Sequence, residues 1–299
     1  MAQAGGRIRI GISGWTYAPW RGVFYPKGLR RKDELSYAAR QVTSIEINGT
    51  FYGQQKPQNF AAWGAAVPED FVFSVKAPRF LTHIRRLREV ETPLANFLAG
   101  GLLSLGPKLG PILWQLPPSF RFDAEGMARF LDLLPQDTEE AARLARRHDD
   151  RLKGRAVLET DACRPLRHAI EIRHESFRDI RFVDMLRARG VALVCADTVS
   201  WPRLMDATAD FMYCRLHGSE ELYASGYNDA ALDDWARRCR AWASGREPGD
   251  AERVGPRGAR VPRDVYVYFD NDLKVRAPAD ARSLMGRLKL LAADGTPRR

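Results

Sequence analysis

The chain has 299 residues, of which 45% are hydrophobic, so it is long enough to bury the core of one large domain or of two ordinary ones. The N-terminus lacks the apolar segment of a secretion signal and no stretch has the length of apolar sequence that spans a bilayer, so we expect a cytoplasmic protein without a membrane partner. The formal net charge of +10 favours anionic partners, but an arginine-rich solvated surface is the more common cause of such a charge.

Short apolar runs alternate with amphipathic stretches along the chain. The strand-like runs are IRIGIS (8–13), SIEIN (44–48), FVFSVK (71–76), PILWQL (111–116), HAIEIR (168–173), VALVCAD (191–197), FMYCRLH (211–217) and DVYVYFD (264–270). Helical periodicity appears over 58–67, 126–134, 181–190 and 229–245. Eight strand and helix units predict parallel strands with right-handed crossovers, closed into a single-domain α/β protein of the (β/α)8, or TIM, barrel class. A doubly wound open sheet is disfavoured because no GxGxxG loop follows the first strand.

Two segments interrupt the repeat. Residues 136–165 are charged and predict a mostly helical insertion before strand 5. Residues 246–263 are rich in Arg, Gly and Pro, which predicts a mobile surface loop. The alternative for the second segment is a basic arm that contacts phosphates.

Polar side chains occupy one face of the strands, near their carboxyl ends. Glu46 and Asn48, for example, alternate with Ile45 and Ile47. The helix-facing side of a barrel strand must be apolar, so the polar face should point into the lumen, at the end where barrel active sites are built. A self-neutralising structural network is one explanation for so many charges. Buried ion pairs stabilise weakly, however, so a catalytic or ligand-binding site is the better one.

Each polar residue type suggests a role in such a site. Carboxylates and histidine transfer protons, so the predicted catalytic residues are Glu46, Glu171, Asp197, His217 and Asp270. Cations, amides, hydroxyls and aromatic rings bind substrate, so the predicted binding residues are Ser13, Trp15, Tyr17, Asn48, Tyr52, Lys76, Gln115, Arg173, His174 and Arg215. The aromatic loop over 15–25 either stacks on a ligand ring or closes the barrel end, and both alternatives stay open.

Seven motifs, in order along nearly the whole chain, resemble those of the domain of unknown function 72 family, also called YecE-like. They are GISGWTYAPWRGVFYP (11–26), EINGTFYGQQKP (46–57), FVFSVKAPRFLTH (71–83), LWQLPPSF (113–120), AIEIRHESF (169–177), RLHG (215–218) and VYFDND (267–272). The resemblance implies a TIM-barrel fold and supplies no established reaction. Phe177 stands where the family usually has Trp, Asp270 stands where it usually has Asn, and the 136–165 insertion is unusually long.

Three functions fit these observations. The leading one is a hydrolase, lyase or isomerase that acts on a small phosphate- or carboxylate-bearing anion by general acid and base chemistry, because a simple anion binder gains little from four carboxylates. The second is a metal-assisted phosphoesterase or nucleic-acid-binding barrel of the endonuclease type, with His83, His174 and His217 as metal ligands. The third is a non-catalytic ligand-binding barrel.

Metal and other cofactors are not expected. No HExxH pair occurs, the four cysteines form no CxxC pair, and Lys76 and Arg173 would compete with a metal for the carboxylates. The expected partner is therefore a small anionic substrate, with nucleic acid less favoured. The oligomeric state stays open.

Overall fold

The predicted strands all form, and they close into a parallel barrel in which strand order follows the chain, as the (β/α)8 prediction requires. The computed structural model describes residues 5–152, 154–218, 222–223, 225–272 and 274–298. The strands are β1 (Ile8–Ser13), β2 (Ser44–Ile47), β3 (Val72–Lys76), β4 (Leu109–Gln115), β5 (His168–Glu171), β6 (Ala192–Asp197), β7 (Phe211–Leu216) and β8 (Asp264–Phe269).

Helices follow most of the strands. They are α1 (Glu34–Ala39), α2 (Gly49–Tyr52), α3 (Pro57–Ala65), α4 (Glu91–Ala99), α5 (Ala124–Asp132), α6 (Thr138–Ala145), α7 (Ile180–Ala188), α8 (Asp229–Ala243) and α9 (Ala277–Arg287). Of these, α3, α5, α7 and α8 match the four predicted amphipathic stretches. Within the described ranges, no helix combines the length and apolar composition that crossing a bilayer requires.

The chain divides into two compact units. Unit 1 comprises Met1–Glu46 and Arg178–Arg299, and unit 2 comprises Ile47–Phe177.

The sheet of unit 1 runs in the order β6, β7, β8, β1 and β2, with all pairs parallel. Its helices end where the sequence signals predict. Gly190 after α7 and Gly245 after α8 have φ of +62° and +78°, a conformation that glycine adopts without steric cost. Asn228 begins α8 by accepting a 2.9 Å hydrogen bond from the amide of Ala231.

The segment 246–263 belongs to unit 1 and contains no helix or strand among its residues. Buried Asp206 accepts hydrogen bonds from the amides of Val254 and Gly255 at 3.0 and 2.8 Å. The buried guanidinium of Arg263 donates to the carbonyls of Ala209 and Ala259 at 3.2 and 2.7 Å. Side chains outside the regular elements therefore satisfy several backbone groups of this segment.

Unit 2 contains β3, β4 and β5, which pair in parallel. Trp114 on β4 is fully buried and contacts Phe97 of α4 and Phe130 of α5 edge-on. His168 on β5 accepts a hydrogen bond from the Trp114 indole at 3.1 Å and lies 2.8 Å from the carbonyl of Pro135. Burial lowers the pKa of His168 to about 4, so it is a neutral core residue on the helix-facing side.

The 136–165 insertion lies in unit 2 and is less helical than predicted. It contains α6 and one short turn over Asp150–Leu152, and its remaining described residues are irregular. Asp137 begins α6 by accepting a 2.7 Å hydrogen bond from the amide of Glu140. The basic stretch after α6 has too few apolar positions to extend a buried helical face.

An unusual turn connects β3 to α4 in unit 2. Residues Phe80–Ile84 form one turn of π-helix, closed by a 2.8 Å hydrogen bond from the amide of Arg85 to the carbonyl of Phe80. Arg86, Leu87 and Glu89 follow with φ of +51°, +61° and +49°. Non-glycine residues seldom adopt this conformation, so the connection is locally strained.

Candidate functional site

A buried network of charged side chains centres on Arg215 in unit 1. Arg215 is fully buried on the same face of β7 as Tyr213. Its guanidinium donates to Glu46 from Nε at 3.0 Å and from Nη2 at 2.9 Å, and Nη2 also donates to Asp270 at 2.8 Å. The Tyr213 hydroxyl donates to Glu46 at 2.7 Å. Two predicted catalytic carboxylates and a predicted binding residue are thus brought together.

His217 extends this network at the carboxyl end of β7. Its Nδ1 lies 3.0 Å from Oδ2 of Asp270, the oxygen that also accepts from Arg215. The rings of Trp201 and Tyr223 contact the imidazole edge-on at 5.4 and 5.3 Å. A histidine close to a carboxylate is a candidate acid or base catalyst.

Asp272 follows the last strand of unit 1 by three residues and was not among the predicted site residues. Burial and, to a lesser extent, the neighbouring charge of Asp270 together raise the pKa of its carboxyl to about 6, against smaller opposing effects that include the charge of Arg215. Such a carboxyl exists in both protonation states near neutral pH, which general acid catalysis requires. The sequence motif VYFDND contains it, but its unusual environment has no signature in the sequence.

The loop after β1 packs mainly against itself. Trp20 and Tyr25 are buried, and their rings contact Phe24 and Tyr37 within unit 1. Tyr17 is half-buried and its hydroxyl donates to the carbonyl of Ser13 at 2.6 Å. These contacts favour the closing role for the inner part of the loop.

Two further predicted binding residues lie at the carboxyl end of β1 and just after it. Trp15 is half-buried, and its carbonyl accepts from the Tyr25 hydroxyl at 2.6 Å. Ser13 is 1% exposed and pairs in register with Glu46, so both lie on the face of the Arg215 network. In the described part of the chain, the Ser13 hydroxyl has no hydrogen-bond partner.

The predicted position of Asp197 is wrong. Ala196 pairs with Arg215 and Asp197 pairs with Leu216, so Asp197 lies on the opposite, helix-facing side of the sheet from Arg215. There it accepts from Arg203 at 2.9 Å and from the Trp235 indole of α8 at 3.2 Å. The sequence of β6 before Asp197, ALVCA, is apolar at every position, so the strand offers no polar alternation from which its inner face could be identified.

A second group of charged side chains lies in unit 2, and we call Lys76, Arg79, His83, Glu171 and Arg173 the Lys76 cluster. Gln115 on β4 pairs with Glu171 on β5, and Leu113 on β4 pairs with Lys76 on β3. The side chains of Lys76, Gln115 and Glu171 therefore lie on the same face of the sheet, opposite the face of Trp114. The Arg173 Nε donates to Glu171 at 2.7 Å, and both side chains are almost entirely buried. The Lys76 ammonium lies 4.2 Å from the centre of the Phe51 ring.

The pKa of His83 reports the electrostatic character of this cluster. Burial, the largest cause, and the charges of Lys76, Arg173 and Arg79 together lower it to about 4, against a smaller opposing effect of Glu171. The imidazole also contacts the Phe51 ring edge-on at 5.1 Å. His83 is therefore neutral at pH 7 in surroundings where positive charge prevails.

The remaining predicted binding residues of unit 2 differ in position. Gln115 is buried on the cluster face, whereas Asn48 is partly exposed at the start of α2. Tyr52 is 76% exposed and lines a surface cavity. His174 accepts a 3.0 Å hydrogen bond from the amide of Ser176, so it fixes a local turn. Phe177, which stands where the resembling family usually has Trp, is buried against the rings of Phe120 and Phe122.

Arg79 and His83 complete the Lys76 cluster, yet the sequence suggested His83 only as a metal ligand and Arg79 not at all. Both lie in the connection after β3, where period-2 alternation no longer applies. The family motif FVFSVKAPRFLTH is the one signal that includes them. Across the described ranges, no three His, Cys, Asp or Glu side chains converge in an arrangement that could hold a metal ion.

Comparisons with known proteins agree with the motif resemblance. A family model described as "Protein of unknown function DUF72" matches residues 9–298. The UPF0759 protein YecE of Escherichia coli (strain K12) is 30% identical over 129 residues, which are 43% of this chain and 44% of that protein. The UPF0759 protein YunF of Bacillus subtilis (strain 168) is 29% identical over 126 residues, or 40% of this chain and 44% of that protein. The matched stretch thus spans less than half of either relative.

Solved structures share the fold. A DUF72 family protein from Thermotoga maritima MSB8 superposes with a TM-score of 0.71 at 24% identity, covering 95% of this chain and 99% of that chain. A DUF72 family protein from Enterococcus faecalis V583 has a TM-score of 0.64 at 18% identity, covering 95% and 96%. At these identities the similarity concerns the fold alone.

Proposed function

Because the chain belongs to the DUF72 family, whose description names no reaction, we propose a function from its own side chains: an enzyme that acts on a small anionic substrate by general acid and base chemistry. The substrate carries a phosphate or carboxylate group, and the reaction is a hydrolysis, elimination or isomerisation. The observation that supports this proposal is the cationic character of the Lys76 cluster.

The cluster combines three cations with one carboxylate at the carboxyl ends of β3 and β5. Lys76 and Arg173 are almost entirely buried, so contacts that they make to an anion are shielded from water. Arg79 is exposed and has no ion-pair partner in the described part of the chain. An anion that enters from solvent would meet Arg79 first and then the buried charges.

The proton-transfer groups of the proposed anion site lie in unit 2. In unit 2, Glu171 is held by Arg173, and His83 is a neutral imidazole that can donate a hydrogen bond to developing negative charge. Unit 1, taken by itself, has its own titratable groups: Asp272, whose pKa of about 6 is in the range of a general acid, and the contacting pair of Asp270 and His217. Arg215, which already contacts two carboxylates, is assigned to holding Glu46 and Asp270 in place.

A binding measurement tests the proposal without knowledge of the reaction. Inorganic phosphate, titrated calorimetrically, should bind the wild type, and Lys76→Met should weaken binding by about 10- to 100-fold, because a charge-assisted contact is lost. Methionine keeps a favourable contact with the Phe51 ring, so packing is largely preserved. Exposed Lys27→Met is the matched control and should bind as the wild type does. Equal affinity of all three proteins would contradict the proposal.

A further inference from the structure

A cavity of about 200 Å³ lies in unit 2, beside the Lys76 cluster. Aromatic rings make up much of its wall: Phe51, Tyr52, Phe60, Phe80 and Phe97. Tyr52 and Phe80 are 76% and 37% exposed, so the cavity reaches the surface. An open cavity lined by several aromatic side chains is typical of a ligand site.

Two residues connect the cavity with the Lys76 cluster: Phe51, which contacts two cluster members, and Arg79, which is a member itself. The Phe51 ring lines the cavity and also contacts the Lys76 ammonium and the His83 imidazole. Arg79 lines the cavity and is one of the charges that lower the pKa of His83. A ligand in the cavity would therefore contact the guanidinium of Arg79 beside the cluster. Among the described residues, that guanidinium has no ion-pair partner.

We propose that this cavity binds the ring of an aromatic substrate whose anionic group is held by the cations of the Lys76 cluster, Arg79 among them. The inference rests on the proposed function, and it specifies the substrate class as a small aromatic phosphate or carboxylate. Aromatic walls favour a flat ring, because offset and edge-to-face contacts add to the gain from burial. A cavity of about 200 Å³ has room for a single ring.

Three probes separate the ring contribution from the charge contribution. Phenyl phosphate carries both groups, inorganic phosphate carries the charge alone, and benzyl alcohol carries the ring alone. Phenyl phosphate should bind at least about tenfold more tightly than inorganic phosphate in calorimetric titrations, because the ring adds burial and aromatic contacts. As a further comparison, the affinity for cyclohexyl phosphate should lie between those for phenyl phosphate and inorganic phosphate, because cyclohexyl buries apolar area but is not a flat ring.

Two substitutions locate the binding. Tyr52→Ala should weaken phenyl phosphate by about 3- to 10-fold and leave inorganic phosphate unchanged, because it removes one wall of the ring site. Its control, Ile84→Ala, removes an exposed apolar side chain from the same unit that does not line the cavity. Arg79→Met should weaken both phosphates by about tenfold or more, whereas exposed Arg129→Met should weaken neither.

The outcomes distinguish the ring site from the anion site. Equal affinities for phenyl phosphate and inorganic phosphate, with normal loss in Lys76→Met, would overturn the ring site and leave the proposed function in place. Binding of benzyl alcohol that depends on Tyr52, without any binding of inorganic phosphate, would overturn the proposed function and support the ring site. Failure of all three probes to bind would overturn both.

Discussion

Arg215 contacts Glu46 at two points, with Nε 3.0 Å from one carboxylate oxygen and Nη2 2.9 Å from the other, and both side chains are buried. This two-point geometry fixes the orientation of both groups. Because the Arg215 network also includes Asp270, loss of the guanidinium would leave two carboxylates without their shared cation.

We therefore expect Arg215→Met to lower the free energy of unfolding by about 3–5 kcal/mol, the cost of uncompensated buried charge. Urea denaturation monitored by circular dichroism measures it. Adding Glu46→Gln should recover part of the loss, because one buried negative charge is removed. Exposed Arg129→Met should change stability by less than about 0.5 kcal/mol. A loss in Arg215→Met no larger than in this control would contradict the assigned role.

The titration of His83 tests the electrostatics of the Lys76 cluster. In the folded protein, its imidazole signal should titrate with a midpoint near 4, as NMR spectroscopy can show, with His83→Gln identifying the resonance. Lys76→Met should raise that midpoint by part of the difference from 6.5, because burial remains the larger cause. Bound phosphate should raise it as well, since a nearby anion favours the protonated ring. A midpoint indifferent to both changes would place the anion elsewhere.

Asp272 should make stability depend on pH. Its pKa is raised to about 6 in the folded chain, so the folded state binds the proton more tightly than the unfolded state, and stability falls as pH rises from about 4 to about 6. Asp272→Asn removes this dependence and should be more stable than the wild type at pH 7. The gain should be roughly 1 kcal/mol rather than the full value of two pKa units, because solvent screens a partly exposed group.

Denaturation at pH 4 and at pH 7 provides the test. At pH 4 the wild-type carboxyl is largely protonated when folded, so the difference between variant and wild type should shrink. A difference that stays the same at both pH values would show that the carboxyl does not titrate between them.

Asp197 should matter for stability and not for anion binding. Its carboxylate accepts hydrogen bonds from Arg203 and the Trp235 indole on the helix-facing side of unit 1. Asp197→Asn should lower the free energy of unfolding by about 1–3 kcal/mol, because a charge-assisted bond is weakened. Phosphate affinity should stay within about twofold of the wild type. A selective loss of affinity at unchanged stability would restore Asp197 to the site.

The fold could be predicted from the sequence more completely than the site. Alternation of apolar and polar residues predicted the eight strands. It also located Glu46, Glu171 and Arg215 on the face of their strands that points away from the helices. The same argument failed for Asp197, because the residues of β6 that precede it are all apolar and show no alternation. Arg79 and His83 escaped it because they lie in a connection without a fixed period. The raised pKa of Asp272 depends on burial and on neighbouring charges, which are distant in sequence.

The π-helical turn that carries His83 makes the length of its connection important. A π-turn holds one residue more than an α-turn, and each residue of a helical turn rotates the next side chain by about 100°. Deleting one residue from Phe80–Ile84 would therefore redirect the imidazole and the strained residues after it, even if every remaining side chain were unchanged. Length variation among homologous chains should accordingly be rare between β3 and α4. It should be common in segments such as 136–165, where few site residues depend on the spacing.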